Sequence, residues 1–152
     1  SAEMTHHDQN FEKEDAVAIS LKFANQAVGS FLLSDRTPSP WTWEMALGES
    51  VKFPKTGMNA IRFLGTEGAL EFPNLVLWRH AEGNSNWHHE IRPEVIDAPF
   101  IDAYVAQCAH LRAVTRGLET PIIDALNGSR SLDATLAAAR AATSGTRIKL
   151  SM

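Results

Sequence analysis

Asp35, Arg36 and Glu44, with Trp41 and Trp43 among them, are the side chains here whose types and spacing best suit chemistry on a ligand. They sit in one stretch, Leu33 to Glu44, that reads Leu-Ser-Asp-Arg-Thr-Pro-Ser-Pro-Trp-Thr-Trp-Glu. Pro38 and Pro40 fix their own φ angles and push Thr37 and Ser39 away from helix, so the backbone has little freedom. Fixed polar groups beside aromatic surface are what a small-molecule wall needs. A stiff structural corner has the same composition, and irregular connections outnumber binding sites. Taken alone, the stretch reads as a corner first and a wall second.

The other reactive residue types offer less. Adjacent His88 and His89 on a strand point to opposite faces and do not share one ion easily. His6, His7 and Asp8 form a polar run with no complementary ligands at recognisable spacing. Metal binding through His6, His7, His88 and His89 therefore rests on composition only. His110 lies near the apolar stripe of a helix and reads as a core or edge histidine. Cys108, on that stripe, reads as a small buried hydrophobe. It is the single cysteine of the chain, which excludes an internal disulfide and suits a reducing, cytoplasmic compartment. No glycine-rich dinucleotide loop, P-loop, His-Glu-x-x-His or Gly-x-Ser-x-Gly pattern occurs. The chain supplies no acid–base pair or activated nucleophile, and no catalytic, cofactor-binding or metal residue is assigned.

At 152 residues the chain has the length of about one domain. A formal charge of −4 gives no electrostatic reason for nucleic-acid or anionic-membrane binding. No apolar run approaches the ~18 residues of a membrane span.

Residues 1–14 are polar and aperiodic and read as a tail or linker, leaving 15–152 as the folded domain. Val17, Ile19, Leu21 and Phe23 alternate with small or polar residues, which predicts a strand. A turn at Ala24-Asn25-Gln26, with Asn25 tolerating positive φ, leads to a second strand from Val28 to Leu33. Gly29 inside it permits a bulge or a close backbone approach. Trp41, Trp43, Met45 and Leu47 alternate again, predicting a third strand with both indoles on one face and Glu44 on the other. Further strands are expected at Asn59–Leu64, Ala69–Phe72, Leu75–Arg79 and within His88–Val95, with 81–87 a polar loop. The period then changes. Phe100, Tyr104, Cys108 and Leu111, widened by Ile101 and Val105, predict a helix capped by Asp97 and stopped by Gly117. A second, alanine-rich helix runs from about Leu126 or Ser129 to Ser144, and Arg147 to Leu150 closes as a strand. Strands first and helices last predict an α+β fold: a mostly antiparallel open sheet with helices on one face and the other face free for oligomerisation.

The order of these features resembles the C-terminal domain of the Gfo/Idh/MocA oxidoreductases. Glu14-Asp15-Ala16-Val17-Ala18, leading to Leu21-Lys22-Phe23-Ala24-Asn25-Gln26-Ala27-Val28-Gly29, is similar to that domain's opening hairpin, where Phe-x-Asn-Gly is common. Phe63-Leu64-Gly65-Thr66-Glu67-Gly68-Ala69-Leu70 looks like its Gly-Thr-x-Gly-Ser-Leu hairpin. Tyr104 to Gly117 resembles its helix with a Gln-x-x-His-Phe run ending in Arg-Gly. Gly128-Ser129-Arg130-Ser131-Leu132, the alanine-rich helix and Gly145 match its ending. The proline stretch looks like a branch reading Ser-Asp-x-x-Pro-Ser-Pro-Trp-Ser-Trp-Glu. Gln26 and Leu111 replace a frequent glycine and a frequent phenylalanine.

The resemblance covers about Glu14 to Leu150. It implies a substrate-side and oligomer-forming domain working with an N-terminal Rossmann domain that binds NAD or NADP and passes hydride to or from a sugar, inositol or related polyol. The family's glycine-rich fingerprint, Glu-Lys-Pro lysine and Asp-x-x-x-His-type motif have no counterpart here, so catalysis and cofactor binding are expected outside this chain. The resemblance makes Asp35, Arg36, Trp41, Trp43 and Glu44 the substrate-binding candidates, and a homo-oligomer through the open sheet face the expected assembly. The alternative expectation is a non-catalytic binding or scaffold domain sharing the fold.

Overall fold

The computed structural model describes residues 1–6, 13–81 and 86–150. The chain divides into two compact units, one comprising Ser1–Thr37 with Leu111–Met152 and the other Pro38–His110. The expected single open sheet is two antiparallel sheets, of three and four strands. The break has a local cause: Pro38, Pro40 and Pro54 deny the intervening chain a continuous ladder. The α+β class holds.

The first unit carries β1 (Ala2–Thr5), β2 (Ala16–Lys22) and β3 (Val28–Ser34) in that spatial order. Residues 1–14 are thus not all tail. β1 pairs antiparallel with β2, setting Ala2 opposite Ile19 and Met4 opposite Val17, and the N-terminal ammonium of Ser1 donates to the Ser20 carbonyl at 3.1 Å. With only Ala2 and Met4 facing inward, this strand is too short to show a period. His7 and Asp8 lie outside the described residues, as do 82–85 of the expected polar loop.

β2 and β3 pair without interruption from Lys22–Val28 to Ala16–Ser34, so Gly29 sits in a regular ladder and not in a bulge. The turn between them also differs from expectation. Positive φ falls on Gln26, at 72°, while the Asn25 side chain accepts from the Ala27 N–H at 3.1 Å. An Asx-type bond uses Asn25 in its ordinary backbone region and passes the left-handed conformation to its neighbour.

α3 (Ala125–Ser144) packs against β1. Asp124 is its N-cap, accepting from the Asn127 N–H at 2.8 Å, and Gly145 ends it with φ 64°. Ala137 and Ala141, one turn apart on one face, are buried, as is Ala2 on the sheet. Ala134, Ala137, Ala138 and Ala141 meet Ile19, Leu21, Ile148 and Leu150 around a cavity of about 50 Å3. The expected closing strand at Arg147–Leu150 does not form; the segment lines this cavity without joining a ladder.

The second unit opens with α1 (Trp43–Leu47), a short helix where alternation predicts a strand. Thr42 caps its N-terminus by accepting from the Met45 N–H at 3.4 Å, and Gly48 terminates it at φ 69°. The local caps outweigh the period-two pattern. β4 (Ile61–Leu64), β5 (Ala69–Phe72), β6 (Val76–His80) and β7 (Ile91–Val95) form an antiparallel meander. His88 and His89 precede β7, in a turn.

α2 (Ala103–Thr115) starts later than expected, because Asp102 caps it in place of Asp97, accepting from the Val105 N–H at 2.9 Å. It buries no residue. Cys108 is exposed, which overturns its reading as a core side chain. The stripe is present in the sequence, but nothing described covers it. Among the described residues no helix is long and apolar enough to cross a membrane.

Two glycines provide opposite tests of this fold. A Cβ at Gly68 would lie 2.6 Å from the Trp78 carbonyl oxygen, whereas one at Gly128, inside α3, meets nothing within 4 Å. Gly68→Ala should lower stability by about 1–3 kcal/mol through overpacking. Gly128→Ala should raise it by about 0.4–1 kcal/mol by stiffening the unfolded chain. Urea denaturation followed by circular dichroism reads both signs.

Candidate functional site

The five candidate residues fall on both units: Asp35 and Arg36 on the first, Trp41, Trp43 and Glu44 on the second. In the first unit, β3 runs out at Ser34 into a hydroxyl pair, with Ser34 Oγ and Thr37 Oγ1 2.9 Å apart. The Arg36 N–H donates to Ser34 Oγ at 3.3 Å. The Asp35 N–H donates to the Asp15 carbonyl at 3.2 Å, which extends the β2–β3 ladder by one residue. Arg36 Nη1 approaches Asp15 Oδ1 at 3.5 Å. The Asp15 carboxylate is largely buried and the guanidinium half exposed, so the pair contributes at most about 1 kcal/mol. Arg36 therefore already has a structural partner, while the Asp35 residue is exposed.

In the second unit, the Trp41 N–H donates to Ser39 Oγ at 3.2 Å. Thr56 clamps the segment: its Oγ1 donates to the Pro40 carbonyl at 2.8 Å, and its N–H to the Met45 carbonyl at 3.0 Å. Ala46, within α1, is fully buried. The Trp43 indole stacks on Phe72 of β5, with ring centroids 5.4 Å apart and planes at 28°. One face of that indole is committed to packing. Trp41 is 60% exposed, and Glu44, in the first turn of α1, is exposed. The helix replaces the expected arrangement of two indoles on one strand face opposite Glu44, since successive helical residues turn by about 100°.

Chemically the set divides in two. Arg36 and Trp43 hold structure; Asp35, Trp41 and Glu44 remain available for hydroxyl contacts and for stacking on an apolar ring face. Among the described residues no group of three or more histidine, cysteine, aspartate or glutamate side chains could hold a metal ion. The β3–α1 connection, residues 35–42, contains no glycine.

Two features escape sequence reasoning. His80 and His89 meet edge to face with ring centroids 6.5 Å apart, and His80 Nδ1 is buried without a hydrogen bond among the described residues. Nothing in the spacing pairs those two histidines. The second is a polar cluster at the edge of the meander. Asn59 Nδ2 donates to Glu71 Oε2 at 3.0 Å, and the Asn74 N–H donates to Asn59 Oδ1 at 3.1 Å. Asn74 Nδ2 donates to the Gly57 carbonyl at 2.8 Å, and Arg62 stands 3.5 Å from Glu71. The Pro73-Asn74 turn signals a bend but not the partners of Asn74.

A 2.8 Å hydrogen bond from Arg92 holds the Glu90 carboxyl below its usual range. The same contact raises the Arg92 guanidinium. Both groups are fully exposed.

Truncation separates the holding residues from the available ones. Trp43→Ala should cost about 0.5–1.5 kcal/mol from the lost aromatic pair, over and above the area it buries. Trp41→Ala should leave stability within about 0.5 kcal/mol, as an exposed substitution does. Thermal melts of the two variants make the comparison. No family model, curated protein or solved structure matches the chain.

Proposed function

We propose that this chain is the substrate-side and oligomer-forming domain of an NAD(P)-dependent oxidoreductase of the Gfo/Idh/MocA type, acting on a sugar, inositol or related polyol. Hydride transfer and cofactor binding belong to parts outside this chain, and its own share is the wall. On the first unit Asp35 accepts hydrogen bonds from substrate hydroxyls, and Arg36 donates to one only by giving up its Asp15 contact. On the second unit Glu44 accepts from hydroxyls and Trp41 covers an apolar ring face, with Trp43 held against Phe72.

The observation that carries the reading is the amount of surface left open. The 16.7 kDa chain exposes 12833 Å2. A folded monomer of that mass exposes about 7,600 Å2, so the surplus is about 5,000 Å2. Among the described residues no large side chain is fully buried. Such a chain is built to be covered, as a domain of a larger oligomeric enzyme is. Gln26 adds a local argument. It stands where the resembled hairpin has a turn glycine, and its φ of 72° is the conformation that favours glycine.

The second reading, a non-catalytic binding or scaffold domain, draws on Arg36 bound to Asp15 and Trp43 stacked on Phe72. Both contacts make the proline stretch a structural corner.

The complete gene product separates the two. Titration with NADH and NADPH should show saturable binding, and turnover should be found on a polyol. Asp35→Asn and Trp41→Ala should each raise KM for the polyol about tenfold, the worth of one lost hydrogen bond or stacking contact. Dinucleotide affinity should stay unchanged. A complete protein that binds no nicotinamide cofactor ends the oxidoreductase reading. Turnover with an unchanged KM in both variants leaves the oxidoreductase and removes the wall.

A further inference from the structure

The free edge of β3 is unlike the other sheet edges of this protein. Among the described residues β1, β3, β4 and β7 are the four edge strands. β1 carries Glu3, β4 carries Arg62, and β7 carries Arg92, Pro93 and Glu94. Charges and proline on an edge discourage a further strand from adding to it. β3 reads Val-Gly-Ser-Phe-Leu-Leu-Ser over seven residues, with no charge and no proline. It is apolar on both faces: Phe31 and Leu33 project to one side, Val28 and Leu32 to the other, and Val28 and Leu32 are 78% and 81% exposed.

The β2 ladder fixes which backbone groups of β3 are unpaired. At its two ends the Asp35 N–H donates to the Asp15 carbonyl and the Phe23 N–H to the Ala27 carbonyl, both on the register of the strand pair. Hydrogen-bonded residues alternate along an antiparallel strand. The odd-numbered residues Gly29, Phe31 and Leu33 therefore bond to β2. Val28, Ser30, Leu32 and Ser34 turn their N–H and C=O groups to the open edge.

We infer that β3 pairs antiparallel with β3 of a second copy of this chain about a two-fold axis centred on Phe31, joining two three-stranded sheets into one of six strands. In that register Val28 faces Ser34 of the second copy and Ser30 faces Leu32. Every outward N–H and C=O of the four even residues then gains a partner. The side chains complement each other on both faces. Leu33 of each copy lies over Gly29 of the other, Leu32 stands opposite Ser30, and the two Phe31 rings meet at the centre. Phe31 falls at a non-hydrogen-bonded position, where facing Cα atoms approach to about 4.5 Å. A slip of two residues either way runs the strand onto Gln26, whose φ is 72°, or onto the charged pair Asp35-Arg36. The occupant must be a strand, because the open groups are backbone, and this strand is complementary to itself. A standard interface takes about 800 Å2 from each partner, a fraction of the surplus exposed here. The inference does not depend on the oxidoreductase reading.

The register is testable on the 152-residue chain in a Cys108→Ser background. Analytical ultracentrifugation at tens of micromolar should show a dimer. Ser30→Pro removes an outward N–H while sparing the β2 ladder, and the preceding Gly29 tolerates the restriction that proline imposes. It should weaken the dimer at least tenfold with an unchanged circular dichroism spectrum. Mild oxidation should cross-link Phe31→Cys across the axis, since Cα separations of about 4.4–6.8 Å permit a disulfide. Ser30→Cys and Leu32→Cys, which centre the slipped registers, should not cross-link. A monomeric parent chain overturns the inference, as does a dimer indifferent to Ser30→Pro. Cross-linking at position 30 or 32 in place of 31 overturns the register. If Ser30→Pro fails to fold, the three cysteine variants decide alone.

Discussion

The first unit depends on one close approach, the alanine face of α3 against β1 and the inner face of β2. Ala137 and Ala141 are buried on the helix and Ala2 on the sheet, so backbone comes near backbone with little side chain between. Small side chains make such an approach available, and they also limit what it contributes, because an alanine buries little apolar area. The larger apolar residues of β2 are only half-buried. β3, further from the helix in the strand order, has its apolar side chains between half and four-fifths exposed. The unit is thus organised from one side: well covered along β1, thinly along β2, and open at β3.

The second unit solves the same problem differently. Its meander is tied to the segment before it by single directed contacts, with Trp43 on Phe72 and the Thr56 hydroxyl on the Pro40 carbonyl. The Asn59–Asn74–Glu71 cluster anchors residues 57–59 to the β5–β6 turn. Directed polar contacts hold a segment in one conformation without requiring a deep core, though each contributes only about 0.5–1.5 kcal/mol net. The available side chains, Trp41 and Glu44, sit beside this clamped backbone. A ligand meeting them would find its partners already positioned, which lowers the entropy cost of binding.

How much of this was legible follows from where the information lies. β2 is read directly from period-two alternation, and β3 and the strand at Ala69–Phe72 from the turns that bound them. α3 is read from alanine content and Gly145, within a few residues of its start. Trp41–Leu47 fails for an instructive reason. Its apolar residues alternate, but Thr42 and Gly48 are a cap pair spaced for a short helix, and capping governs a segment this brief. Cys108 fails for another. Periodicity shows that α2 has an apolar stripe, but not whether anything lies against it. A division into two units is equally hidden, because prolines mark a break in the ladder without saying which strands regroup.

The candidate stretch was legible as rigid, while its division of labour was not. Spacing alone cannot reveal that Arg36 leans on Asp15, twenty-one residues earlier, or that Trp43 lies on Phe72 in a different strand. Those long-range contacts change the chemistry each residue can offer. A guanidinium with a largely buried carboxylate partner must weaken that pair to meet a ligand, which costs binding energy. An exposed carboxylate such as Asp35 gives up only water. The same holds for the indoles, since stacking on Trp43 reaches only its free face, whereas Trp41 is 60% exposed.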